Sequence, residues 1–526
     1  MSTVSAPKKK NAVLTVLSMA AAMVLSKGLG MVRSMCMASA YGTGYEANAF
    51  SAASRIPLSF FDLLFSAAIL GCFIPVYNSF RGGGNSGRDK AQAERDADTF
   101  ACIFLNFILL FTSILSVIGI LFAPQLIALI TPELPSETAA LAASLLRIMF
   151  PMILFTGAAY TLVGILQSKE HFFLPSMISA ISNLGVILYF LLLNDRLGEG
   201  GVYGLAVAYL CAWALQFITL AIPLAQMRFP YRLLLDFHNP ALRRALKMTP
   251  PIMLGSWLSP LSLLIGTHFA SGLTVDGAVT VFEYAVNIGS ILTGILTYGI
   301  CNFTFPRLSR MNVSGEETAF SSTARAGILS ALAIVLPVTA AVLCLSEEGT
   351  ALLYLRGAFT AEDTLETARA LRYYALGMPA FCLTEIISRV MYARMSVYVP
   401  MAASLAGAAV NLVSAAVLSA FCGEVLGVGC VTLAASLGQW TCALVLIIAL
   451  LRTVPGILSR DFGCGLAKLF LLTLLSGGIM AGISALLANN AVTAGFFGNL
   501  IVCAAVFVPA AVVYLAGLKI LRVRFV

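Results

Sequence analysis

Charged residues are scarce in this chain: only 11% of the 526 residues are Asp, Glu, Lys or Arg, whereas 60% are hydrophobic. Ordinary soluble proteins are about 25% charged and about 45–50% apolar. The mean hydropathy of +0.94 points the same way. The composition therefore excludes a typical soluble globular protein and predicts an all-α integral membrane protein, since helices satisfy their own backbone groups in lipid.

Residues and motifs of catalysis and metal binding are also scarce. The three histidines, His171, His238 and His268, lie in no recognisable nucleophile motif, and the twelve cysteines include no C-x-x-C pair. There is no Walker A sequence. We therefore expect no enzyme activity, no metal site and no cofactor, and we interpret the cysteines as small apolar packing residues. The net charge of +8 lies mainly in loops, which favours contact with membrane lipids over nucleic acid.

Long apolar stretches dominate the rest of the sequence. A helix that spans a bilayer needs about 20 mainly apolar residues. Fourteen stretches meet this criterion, near residues 11–40, 47–80, 98–125, 137–168, 172–193, 199–225, 246–271, 276–308, 320–345, 361–395, 398–421, 424–451, 463–488 and 495–522. The lysines at positions 8–10 resemble the start of a signal peptide, but the apolar run continues into a long helix, so we expect it to be retained.

The charges between these stretches alternate in sign along the chain. Lys and Arg concentrate on the cytoplasmic side of short loops. With the N-terminus inside, the inner loops receive basic residues such as Arg228 and Arg232, and the outer loops receive mainly acids such as Glu347 and Glu348. Both termini are therefore predicted to be cytoplasmic.

Part of the sequence repeats at an offset of 225 residues. The matches are Leu146-Arg147 with Leu371-Arg372, Pro175 with Pro400, Gly198-Glu199 with Gly423-Glu424, and Gly204 with Gly429. Transporters are commonly built from repeated helical bundles. We predict two six-helix lobes in pseudo-twofold relation around a central cavity, residues 1–225 and 226–452, followed by a helix pair at 453–526.

The first two predicted spans carry charges where lipid-facing sequence should carry none, namely Lys27, Arg33, Glu46, Arg55 and Asp62. A charge near the bilayer centre costs roughly 2.5–3.5 kcal/mol, so such side chains normally face a cavity or a partner. Arg33 and Lys27 suit an anionic headgroup, because guanidinium binds phosphate with two parallel hydrogen bonds and lysine supplies a point charge. Neutralisation by Glu46 or Asp62, or snorkelling to the headgroup region, is the structural alternative.

Polar side chains in later spans leave two interpretations open. Asn48 and Asn287 could bind a sugar or pack against a neighbouring helix. Glu283 and Glu385 could carry a proton or cation, or each could pair with a nearby base such as Arg389.

Two stretches resemble a known family. They are Gly28-Leu29-Gly30-Met31-Val32-Arg33, continued by Ala40-Tyr41-Gly42 and Ala47-Asn48-Ala49-Phe50, and Leu355-Arg356-Gly357-Ala358-Phe359-Thr360, continued by Asp363-Thr364 and Ala368. The sequence resembles the MurJ (MviN) lipid II flippases of the multidrug/oligosaccharidyl-lipid/polysaccharide exporter superfamily. The resemblance implies a protein of the bacterial cytoplasmic membrane. It would move lipid II, a precursor of the peptidoglycan cell wall, to the outer leaflet by alternating access, beside cell-wall synthesis proteins.

The resemblance also implies a substrate site, with departures. Arg33 matches the family's arginine, and Lys27 stands where arginine is usual. Asn48 replaces an aspartate, Phe61-Asp62 an arginine pair, and Val286-Asn287 an Asp-Arg pair. We expect substrate binding by Arg33, Lys27, Arg55, Asn48 and Asn287. The reduced number of cations leaves two alternatives: a flippase for another undecaprenyl-diphosphate or polyprenyl-linked glycan, and a non-transporting scaffold of cell-wall synthesis.

Overall fold

The computed structural model describes residues 9–81, 90–256, 258–488 and 495–521. Within these ranges all regular elements are helical. The α-helices are α1 Lys9–Tyr41, α2 Tyr45–Ser54, α3 Asp62–Arg81, α4 Lys90–Leu121, α5 Ala123–Ile130, α6 Ser136–Met149, α7 Met152–Ser168, α8 Phe173–Ser176, α9 Ile178–Leu192, α10 Asn194–Leu197, α11 Gly201–Gln226, α12 Pro240–Ser256, α13 Leu258–Ser271, α14 Ala278–Ser314, α15 Glu317–Cys344, α16 Ser346–Tyr354, α17 Ala361–Ala375, α18 Met378–Ala393, α19 Tyr398–Leu426, α20 Gly429–Thr453, α21 Arg460–Ala488 and α22 Phe496–Ile520. A π-helix, Arg55–Phe61, joins α2 to α3, and a 3₁₀ turn, Gly198–Gly200, precedes α11.

The helices form two compact units. Unit 1 comprises the residues up to Met37 together with Ala49–Ile130 and Leu134–Pro260. Unit 2 comprises Ala38–Asn48, Thr131–Glu133 and the residues from Leu261 onward. The end of α1 and the turn after it thus pack with unit 2. The boundaries expected at 225 and 452 stay predictions.

The membrane-protein class is confirmed. Among the described residues, eight helices are long and apolar enough to cross a membrane, or nine if α6 and α7 count as one bent span. The predicted count of fourteen is consistent with this finding and stays a prediction. The stretch predicted as one helix at 137–168 is bent by 40° between Met149 and Met152, because Pro151 has no N–H to continue the hydrogen-bond ladder.

The two units repeat one internal design at the 225-residue offset seen in the sequence. Helices α7 and α18 end at Ser168 and Ala393, and each is followed two residues later by a non-glycine residue with positive φ, Glu170 (67°) and Met395 (59°). Each turn is closed by a bond to the carbonyl five residues back, from His171 N to Leu166 O and from Ser396 N to Met391 O. Such turns end helices by satisfying the last carbonyls.

The last two helices pack inside unit 2. Met480 of α21 and Val506 of α22 share one buried cluster with Ala341 of α15. The Tyr514 hydroxyl donates to the Ala333 carbonyl at 2.9 Å. The helix pair is therefore held to α15 by buried apolar and polar contacts.

Candidate functional site

Arg33 of α1 lies on an aromatic surface within unit 1. Its guanidinium carbon is 5.5 Å from the centre of the Tyr209 ring. Tyr209 stacks on Trp213 at 5.7 Å between ring centres and meets the edge of Phe50 at 4.9 Å. The three aromatic side chains are buried, whereas Arg33 is half-buried. The arginine is thus supported on one side by a rigid stack.

The spacing along α11 explains this support. Tyr209 and Trp213 are four residues apart, so they share one helical face. A guanidinium over an aromatic face is attracted to the ring and keeps its five N–H donors in its own plane. Those donors match two oxygens of a phosphate. The arrangement can therefore present a fixed cationic fork to an anionic group.

Lys27 lies on the same helix, six residues before Arg33, or roughly 9 Å along the axis. Its side chain is exposed. At the residue directly before it, the Asn183 amide of α9 donates to the Ser26 carbonyl at 3.2 Å. This part of α1 is therefore tied to α9 while Lys27 projects outward.

Arg55 is only 4% exposed and opens the π-helix between α2 and α3. The widened turn coincides with Pro57, which has no N–H for the ladder. π-Helical turns are rare and often occur at functional sites. The side chain of Asp62, expected to share a face with Arg55, lies outside the described part of the chain.

Asn48 and Asn287 belong to unit 2. The Asn48 side chain is buried, and its amide oxygen accepts the Thr280 N–H of the first turn of α14 at 3.3 Å. This is the packing role left open above. Asn287 is half-buried on α14. Glu385 pairs with Arg389 at 3.5 Å on α18, which is the pairing alternative for that acid.

The two stretches that carried the family resemblance meet within unit 2. The Ala358 N–H donates to the Ser39 carbonyl at 2.8 Å, and the Thr43 hydroxyl donates to the Asp363 carboxylate at 2.5 Å. Asp363 also bonds to Thr360 in a capping box that starts α17. Residues more than 300 positions apart therefore build one junction.

The structure divides the predicted site residues between the units. Unit 1 contains Lys27 and Arg33 on α1 and Arg55 at the start of the π-helix. Unit 2 contains Asn48 and Asn287. Sequence reasoning missed Tyr209 and Trp213, because aromatic residues in an apolar helix look like ordinary core. Among the described residues no group of His, Cys, Asp and Glu could hold a metal ion.

Comparison with known proteins gives one consistent family. The family model described as lipid II flippase MurJ matches residues 37–502. A probable lipid II flippase MurJ of Buchnera aphidicola is 27% identical over 390 residues, 73% of each chain. Among solved structures, a lipid II flippase MurJ in an inward closed conformation has a TM-score of 0.78 at 22% identity, covering 97% of this chain and 98% of that one.

A more distant match widens the fold group. An inward-facing multidrug resistance MATE family transporter of the MOP superfamily has a TM-score of 0.68 at 16% identity, covering 81% of this chain and 95% of that one. At such identities the two structural matches show a shared fold. The expected fold class is thereby confirmed.

Proposed function

The chain belongs to the lipid II flippase MurJ family, whose model matches most of its length, and from this premise we propose how it works. It flips lipid II from the cytoplasmic to the outer leaflet by alternating access, as a multi-pass protein of the bacterial cytoplasmic membrane with both termini inside. It is a transporter rather than an enzyme.

The observation that carries the proposed site is the guanidinium of Arg33 on the Tyr209 ring. Lipid II presents a diphosphate between its sugar and its polyprenyl tail, and that diphosphate needs a cation in an otherwise apolar protein. Arg33 supplies a preorganised fork, and Lys27 adds a second charge on the same helix. Buried Arg55 lies in the π-helix of the same unit. Sugar binding by Asn48 and Asn287 stays a prediction from the sequence, and the Asn48 oxygen already accepts the Thr280 N–H.

Alternating access sets a condition on these contacts. A ligand shifts the equilibrium between two conformations only through its different affinity for them. The cations of α1 should therefore bind the diphosphate more strongly in the inward-open conformation, which takes up lipid II, than in the outward-open conformation, which releases it. Wild-type transport without Arg33 would contradict this mechanism.

The test is lipid II translocation in proteoliposomes. We expect Arg33→Ala to lower the rate by at least about tenfold, because a hydrogen bond to a charged group contributes roughly 1.5–3 kcal/mol. The rate of Arg33→Lys should lie between the rates of the native protein and of Arg33→Ala, because lysine keeps the charge but cannot form two parallel hydrogen bonds. Arg452→Ala, which removes an exposed arginine at the end of α20, is the matched control and should transport normally.

A competition experiment identifies which lipid-linked glycan the protein transports. Excess of an undecaprenyl-linked sugar that is not a peptidoglycan precursor should leave lipid II transport unchanged. Strong competition would assign the protein to another polyprenyl-linked glycan. No lipid II movement by the folded native protein would favour a scaffold.

A further inference from the structure

A non-helical segment between α11 and α12, residues 227–239, is bound along α4 within unit 1. We call it the α11–α12 segment. The Asn106 amide of α4 donates to the carbonyls of Arg232 at 2.9 Å and Leu234 at 3.0 Å, and the Tyr231 hydroxyl donates back to the Asn106 oxygen at 2.8 Å. The segment is thus fixed to the side of a membrane-spanning helix.

The position of Asn106 along α4 shows that this segment lies against the apolar part of the helix, beyond its charged start. Asp98 is the last charged residue of α4, and Asn106 follows it by eight residues, roughly 12 Å along the axis. Backbone groups that leave water need partners. The bonds from Asn106, and those from Tyr231 N to Phe229 O and Leu234 N to Arg232 O, supply several of them.

The side chains of the segment turn a large apolar surface outward. Tyr231, Leu233, Leu235 and Phe237 are 51%, 81%, 49% and 52% exposed. This surface continues onto α4, because Phe237 meets the edge of Phe107, which in turn stacks on exposed Phe111. The segment therefore extends the lipid-facing surface of the span.

Basic residues flank the apolar surface. Arg228, Arg232, Arg243, Arg244 and Lys247 are exposed, and the acid between positions 227 and 247 is Asp236 alone. Long basic side chains reach from apolar surroundings to the headgroup level. Such clusters beside a membrane attract anionic lipids.

From this arrangement we infer that the α11–α12 segment is a wedge inserted into one leaflet, whose flanking arginines bind the phosphates of anionic phospholipids. The partner is the bulk anionic lipid of that leaflet. The inference is independent of the transported substrate, because it rests on the exposed apolar surface and the charge of this segment.

Insertion is tested with an added tryptophan. In full-length protein reconstituted with lipids brominated on the acyl chains, Leu233→Trp should add fluorescence that is strongly quenched relative to the parent protein. Leu474→Trp, on the exposed face of α21, is the lipid-facing control; Gln92→Trp, at the charged start of α4, is the water-facing control. Quenching at position 233 no stronger than at position 92 would overturn the inference.

Headgroup binding is tested with charge variants. The native protein should retain phosphatidylglycerol in preference to phosphatidylcholine in native mass spectrometry. Arg232→Gln with Arg244→Gln should weaken that retention by about fivefold for each arginine. Arg452→Gln with Arg460→Gln, an equal charge change elsewhere, should have a smaller effect. Equal effects of the two pairs would overturn the lipid assignment, as would displacement of phosphatidylglycerol by lipid II at equimolar amounts. Loss of flipping in Arg33→Ala would leave both results unchanged.

Discussion

At the scale of single residues, Arg33 shows how far sequence alone could predict the site. A lone arginine in an apolar stretch is conspicuous, because its insertion is costly without a partner. Its support was not visible, since Tyr209 lies 176 positions away and resembles core. The role of Asn48 is equally ambiguous from the sequence, because a buried amide can hydrogen-bond either to a ligand or to the backbone at the end of a helix. Its bond to Thr280 required the folded chain.

The stack under Arg33 gives a prediction about transport. Tyr209→Leu should lower lipid II translocation by up to about thirtyfold, because a desolvated cation–π contact contributes up to about 2 kcal/mol. Tyr209→Phe, which keeps the ring, should stay close to native. The measurement is the initial rate in proteoliposomes at equal amounts of folded protein.

Leucine at position 209 also disturbs packing, so the prediction needs a core control. Phe104→Leu removes a buried ring of α4. It should lower the melting temperature comparably and leave the rate largely intact. A slow Phe104→Leu protein would mean that lost packing, rather than the lost cation–π contact, limits transport.

At the scale of elements, three glycines control the junction of the two family motifs in unit 2. Gly42, Gly277 and Gly357 have φ of 56°, 66° and 60°. A β-carbon at Gly42 would lie 2.5 Å from the Ala358 carbonyl oxygen, and one at Gly357 would overlap the Ser39 carbonyl oxygen. The sequence motifs contain Gly42 and Gly357, but only the fold brings their backbones together with that of Gly277. Hydropathy likewise predicted one helix at 137–168 and placed no bend at Pro151.

This junction gives a prediction that separates backbone strain from steric overlap. Gly315→Ala, with φ of 73° and ψ of 16° in the left-handed region and no neighbour within 4 Å of the new carbon, should cost roughly 1–2 kcal/mol of unfolding free energy. Gly357→Ala should cost clearly more, because the Ser39 backbone cannot move aside as a flexible side chain can. Thermal unfolding in detergent compares the two. Equal losses would mean that the junction relaxes easily.

At the scale of the whole molecule, the 225-residue repeat predicted from a few matched residues extends to ion pairs. The residue after α7 is Lys169, whose ammonium lies 3.2 Å from Asp98 and 3.8 Å from Glu94 of α4. Its counterpart after α18, Arg394, pairs with Glu317 of α15. Each cation also lies on a phenylalanine ring, Phe229 or Phe320. Sequence matching missed this repeat, because lysine replaces arginine and the acids stand at shifted positions.

Burial distinguishes the two pairs and gives the last prediction. Asp98 is 8% exposed and also accepts the Tyr77 hydroxyl at 2.7 Å, whereas Glu317 is 53% exposed. Removing one partner of a buried pair typically costs about 3–5 kcal/mol, while exposed pairs contribute about 0–1 kcal/mol. Lys169→Met should therefore lower the melting temperature far more than Arg394→Met, which keeps an apolar stem on Phe320.

Adding Asp98→Asn should restore much of the stability of Lys169→Met, because it removes the buried uncompensated charge and keeps an acceptor for Tyr77. Adding Glu317→Gln to Arg394→Met should change little. Equal losses in both copies, or no rescue by Asp98→Asn, would show that packing of the cation stems rather than buried charge stabilises this repeated contact.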